Sequence, residues 1–245
     1  MSERDYMAGT SPIQPPTPLS VNLVSDLEAA LSFERFGRYV KWAEGDKARA
    51  LELYTLNTTL SEALYTPLHG LELALRNRIH NAMCDAYCEN WFEDGIVTLD
   101  NQRKQVAEAL SEISKGGVQP TPGKIIAKLS FSFWTTMLSG TYEDLWRATL
   151  HKIASKPDGK SFARKDLSRP LGTIRTLRNR IAHHEPIIYW DLRKWYAEIM
   201  DLTVGISPAV AQWCQNTQKF LAVFPEGGYA LHNPESGKPR LAAAS

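Results

Sequence analysis

The sequence predicts an all-α helical bundle. Apolar residues recur at three- and four-residue spacing through most of the chain, and no segment alternates apolar and polar residues persuasively. Clusters of glycine and proline separate the periodic segments.

Residues 1–20 carry Pro12, Pro15, Pro16 and Pro18 with little to bury, and are expected to be a disordered tail. Ser25-Asp26 offers an N-cap before Leu27, Ala30 and Leu31. Asp46 caps a longer segment with Leu53, Leu56, Leu60, Ala63 and Leu64 on one face. Pro67 interrupts this pattern, and Leu68, Leu71, Leu75, Ile79 and Met83 resume it. The pair reads as an αα-hairpin or one kinked helix. A helix over about 100–114 closes at Gly116-Gly117. The run Gln119-Pro120-Thr121-Pro122-Gly123 divides an N-terminal helical part, 21–118, from a second part, 119–222. Helical pieces are expected at about 122–129, 131–139 and 142–154. Leu167, Leu171, Ile174, Leu177 and Ile181 define the next amphipathic helix, which starts or bends near Pro170 and stops before Pro186. Helices at about 190–204 and 207–221 follow, and 223–245 reads as a loose C-terminal tail.

With 43% hydrophobic and 22% charged residues in a chain of 245, the composition is that of an ordinary globular protein. No apolar run is long enough to span a bilayer, and Met1 to Asp5 lack the pattern of a secretory signal. Cys84, Cys88 and Cys214 cannot all pair, which suits a cytoplasmic setting. The net charge is only +1, but ten basic residues between Asp144 and Ile181 face only Asp158 and Asp166, a local excess of +8. Such an excess attracts phosphates, although the same charges serve equally well as solvated helix faces.

That stretch ends in Arg178-Asn179-Arg180-Ile181-Ala182-His183. An imidazole can move a proton near neutral pH, and a guanidinium can hold a phosphate through two parallel hydrogen bonds. Metal-free RNA cleavage needs both: the 2′-hydroxyl must lose a proton, and the charge developing on the phosphate must be stabilised. Asn179 and His183 are four apart and share a helix face. Arg178 and His183 are five apart, roughly 140° around a regular helix, so a site within one chain needs the helix to loosen. A helix C-terminus bearing Arg and His also simply complements the helix dipole.

Arg178-Asn179-x-x-x-His183 late in an amphipathic helix resembles the signature of HEPN-domain ribonucleases. The block Leu71-Glu72-Leu73-Ala74-Leu75-Arg76-Asn77-Arg78-Ile79, the run from Leu177 to Ile187, and Ile206-Ser207 with Trp213-Cys214 resemble the Abi-like (abortive infection) branch over roughly 22–222. The resemblance implies a HEPN-like helical bundle with an additional N-terminal helical hairpin packed on it. It also implies a metal-independent endoribonuclease toxin of antiviral defence, needing no cofactor, whose two copies of the motif meet across a homodimer. Carried over, His183 transfers the proton, Arg178 stabilises the phosphate and Asn179 orients the imidazole. Arg175, Arg180, His184, Glu72 and Arg76 are supporting or RNA-binding candidates. RNA is the implied substrate, and an antitoxin protein or a noncoding RNA the implied inhibitor. Glu185 stands where one branch of these toxins carries a modifiable tyrosine, which leaves that mode of neutralisation without its target.

Glu72, Arg76 and His80 also form one stripe at four-residue steps, as an ion-pair row would. His80, Cys84 and Cys88 share helical spacing but lack a fourth ligand, so no metal site is expected. The alternative to an enzyme is a non-catalytic RNA-binding or regulatory protein that uses the same arginine-rich surface.

Overall fold

The computed structural model describes residues 21–93, 95–97, 99–232 and 239–242, and the segment expected to be disordered at 1–20 lies outside them. Helices dominate, as the periodicity requires. α1 (Val21–Leu31) runs through Ser25-Asp26 instead of starting there, and α2 (Phe33–Trp42) follows it. α3 (Lys47–Ala86) is one helix of 40 residues, capped by the Asp46 side chain accepting from the Arg49 amide at 3.0 Å.

Pro67 does not break α3, so of the two readings of this pair of segments the N-terminal hairpin does not form and the single helix does. An interior proline costs a helix about 3 kcal/mol. Leu60 and Leu64 before it and Leu68, Leu71 and Leu75 after it are all buried on the same core, at roughly 1.5–3 kcal/mol each. Burial outweighs the lost hydrogen bond several times over.

α4 (Asp100–Lys115) ends at Gly116, with Gly117 at φ 70°. α5 (Pro122–Lys128), α6 (Phe131–Thr136) and α7 (Glu143–Ala148) are short. The helix expected over 142–154 is divided at Thr149, where φ is −135°, and continues only as a 3-10 turn at Leu150–Lys152. α8 (Arg164–Ala182) begins well before Pro170 and buries Leu167, Leu171, Ile174 and Leu177, the face the spacing predicts. α9 (Leu192–Ile206) and α10 (Pro208–Thr217) start at the capping side chains of Asp191 and Ser207, and α11 (Phe220–Val223) is a single turn.

α3 is the axis of the molecule, packed against α2, α6, α9 and α10. At Gly70 a Cβ would come within 2.3 Å of Cys214 Sγ, so α10 closes on α3 only because that residue is glycine. The buried apolar residues from Phe36 to Leu231 form a single cluster. The two parts separated at 119 therefore share one core. Buried Gln102 on α4 ties them further, donating to the Phe133 carbonyl at 3.0 Å and accepting from Tyr142 Oη at 2.7 Å.

The loose tail expected at the C-terminus is corrected in part. Strands β1 (Tyr229–His232) and β2 (Pro239–Ala242) form an antiparallel ribbon, and Tyr229 and Leu231 are buried. Tyr229 donates its hydroxyl to the Ile188 carbonyl at 2.7 Å, and burial raises its pKa, which keeps that proton in place.

Candidate functional site

α8 ends four residues before Pro186. The amides of His183, His184 and Glu185 donate to the carbonyls of Asn179, Ile181 and Arg180 at 2.9, 3.1 and 2.8 Å. This is a Schellman cap, which requires a left-handed residue and usually takes glycine. Here His184 supplies it at φ 56°. His183 is the C-cap itself, at φ −94° and ψ 10°, and both imidazoles are exposed. The helix stays regular up to His183, whose amide still makes the helical bond to the Asn179 carbonyl, and departs only at His184, so the roughly 140° between Arg178 and His183 is not relieved within the chain. A left-handed L-residue costs roughly 1 kcal/mol. His184→Gly is therefore expected to raise the unfolding free energy by about 0.5–1 kcal/mol, read as a higher urea midpoint at unchanged slope.

The chain beyond the cap is fixed from behind. Asn57 on α3, only 6% exposed, accepts from the amides of Ile187 at 2.7 Å and Ile188 at 3.3 Å. Tyr229 holds the carbonyl of the same Ile188. Neither residue stood out in the sequence. The partners are 130 and 131 positions apart for Asn57 and 41 for Tyr229, so no local pattern announces them.

Arg178 leans onto α3. Its Nε lies 3.5 Å from Glu72 Oε2, and both side chains are partly exposed, so the pair contributes little stability. Arg178, Glu72 and Arg76 line one groove of about 270 Å³ with His69, Tyr65, Ile181 and Ala182. The structure thereby brings together three of the predicted site residues and adds two. Tyr65 and His69 stack with ring centroids 5.7 Å apart and planes 8° from parallel. Their signal was present in the sequence: Tyr65, His69, Glu72 and Arg76 recur at helical spacing on one face of α3.

The remaining candidates go elsewhere. Asn179 and His183 share no side-chain hydrogen bond among the described residues, so the expected orienting contact is not made within one chain. Arg175 donates to Ser132 Oγ at 3.3 Å and Thr135 Oγ1 at 3.1 Å, joining α8 to α6 instead of reaching the groove. Arg180 turns to the opposite side, over the rings of Tyr189 and Trp190 at 5.4 and 6.0 Å, with Nη1 2.9 Å from Glu185 Oε2. His80 leaves the stripe altogether. It accepts from Trp91 Nε1 at 3.1 Å, and burial lowers its pKa. That contact occupies its Nδ1 lone pair, while its Nε2 lies 3.5 Å from Cys84 Sγ.

The basic stretch is also less open than its charge count suggests. Arg147 and Arg164 share Glu143, Lys156 meets Asp166, Lys160 meets Asp158, Arg178 meets Glu72, and Arg180 meets Glu185. Three acids from outside the stretch, Glu143, Glu72 and Glu185, offset part of its +8 excess. No protein-family model, curated protein or solved structure matches the chain. No described helix is long and apolar enough to cross a membrane.

Proposed function

We infer that this protein is a metal-independent endoribonuclease whose site joins the Arg178 groove to His183. The observation that carries this reading is the convergence of Arg178 and Arg76 on a groove beside a helix cap that presents an exposed imidazole. Two guanidinium groups suit a phosphodiester, and transition-state charge on its oxygens strengthens those contacts. His183 takes the proton from the 2′-hydroxyl as the 2′-oxygen attacks phosphorus. The bond from phosphorus to the 5′-oxygen breaks and that oxygen takes a proton from water, giving a 2′,3′-cyclic phosphate and a 5′-hydroxyl, while His183 returns its proton to solvent.

Within one chain Arg178 is paired with Glu72, and His183 has no orienting side-chain partner among the described residues. A homodimer in which Arg178 of one protomer meets His183 of the other supplies what each lacks, and phosphate then competes with Glu72 for Arg178. The toxin role in antiviral defence and control by an antitoxin protein or noncoding RNA belong to the same reading and rest on the sequence resemblance, and the cytoplasmic setting rests on the three cysteines. The test is incubation of unlabelled cellular RNA with purified protein in EDTA. Fragments ending in cyclic phosphate support the reading. Intact RNA, bound in a salt-dependent manner, supports the non-catalytic alternative, which the Arg178–Glu72 pairing favours.

A further inference from the structure

We propose that the stacked Tyr65–His69 pair is a base-binding platform, so that the site takes single-stranded RNA and excludes duplex. This deepens the ribonuclease reading by naming the form of its substrate. Tyr65 is 65% exposed, unusual for so large a ring on a helix whose neighbours Leu64 and Leu68 are buried. His69 backs it in parallel at 5.7 Å, which fixes one face and leaves the ring as a rigid shelf. One and two turns further along α3, Glu72 and Arg76 line the same groove, facing Arg178 on α8. A ring beside two guanidinium groups is the pairing that single-strand readers use: the ring takes a base and the cations take its phosphate.

Tyr65 is also shared with a second groove of about 260 Å³, which contains Lys219 and Glu62. The ring is therefore the ridge between two hollows. A strand crossing it would place one phosphate at Arg76 and Arg178, a base on Tyr65, and the next phosphate toward Lys219, an exposed cation in no ion pair among the described residues. Charge favours this occupant at the first groove, where Glu72 is the single acid against two arginines. Duplex bases are already paired and stacked, and cannot lie on a protein ring. The 2′-hydroxyl is needed for cleavage but not for stacking, so unstructured DNA of the same sequence should compete for the platform without being cut.

The test uses the full chain carrying His183→Ala, so that binding is read without cleavage. Fluorescence anisotropy compares an unstructured oligoribonucleotide with a perfect RNA duplex. Adding Tyr65→Ala should weaken single-strand binding about tenfold, and Tyr65→Trp should preserve it. Lys219→Ala should weaken it less and lower the salt dependence by about one ion. Duplex binding should not respond to Tyr65. Unchanged single-strand binding in Tyr65→Ala overturns the proposal, as does an equal loss for duplex, or a change in dimerisation without a change in RNA affinity. If wild type never cleaves yet Tyr65→Ala loses single strands, the ribonuclease reading fails and the platform stands.

Discussion

Replacing His183 with alanine should lower RNA cleavage by at least about a hundredfold while leaving RNA affinity nearly unchanged. The imidazole is exposed at the cap and supports no described side-chain contact, so its removal should not disturb the fold. Its backbone amide still donates to the Asn179 carbonyl, and the cap survives. The effect therefore falls on the chemical step. Loss of turnover without loss of the protein's melting temperature or RNA binding is the expected pattern. Equal cleavage by wild type and His183→Ala would remove this residue from the reaction.

The second large effect is structural. Asn57→Ala should destabilise the protein by about 3 kcal/mol, because two buried amides, those of Ile187 and Ile188, lose their acceptor together. For a domain of this size that corresponds to a fall in melting temperature of roughly 6–12 °C. The loss should not stay local. Asn57 anchors the segment that follows His183, His184 and Glu185, so RNA cleavage should fall further than RNA binding in the folded variant. A melting temperature within a degree or so of wild type would mean that water or a rearranged chain replaces the amide oxygen.

Much of the helical frame was legible because it depends on local spacing. The buried face of α8 is the set Leu167, Leu171, Ile174 and Leu177, and Asp46 caps α3 as its side chain suggests. Failures arose where tertiary burial overrode a local signal. Pro67 reads as a break or a kink, and the apolar face on both sides of it holds α3 together as one helix. Thr149 splits a helix that periodicity alone would continue. The ribbon strand Tyr229–His232 alternates in burial over only four residues, too few to stand out in the sequence, and its packing against Ile188, Phe224 and α2 fixes it.

The candidate site was half legible for the same reason. Arg178 and His183 stand in one short run, so their proximity is visible in the sequence. The groove is made by α3 and α8, about a hundred residues apart, and no spacing reveals that Arg76, Glu72 and Tyr65 meet Arg178. Nor does spacing show direction: Arg175, Arg178 and Arg180 lie within six residues and point to Ser132, Glu72 and Tyr189 respectively.

The composite site can be tested by mixing Arg178→Ala protein with His183→Ala protein after subunit exchange. Each variant alone should be inactive. A mixed dimer rebuilds one intact site from the surviving Arg178 and His183, so the mixture should recover about a quarter of wild-type RNA cleavage. A mixture of verified mixed dimers that stays as inactive as its components would contradict a site shared between protomers.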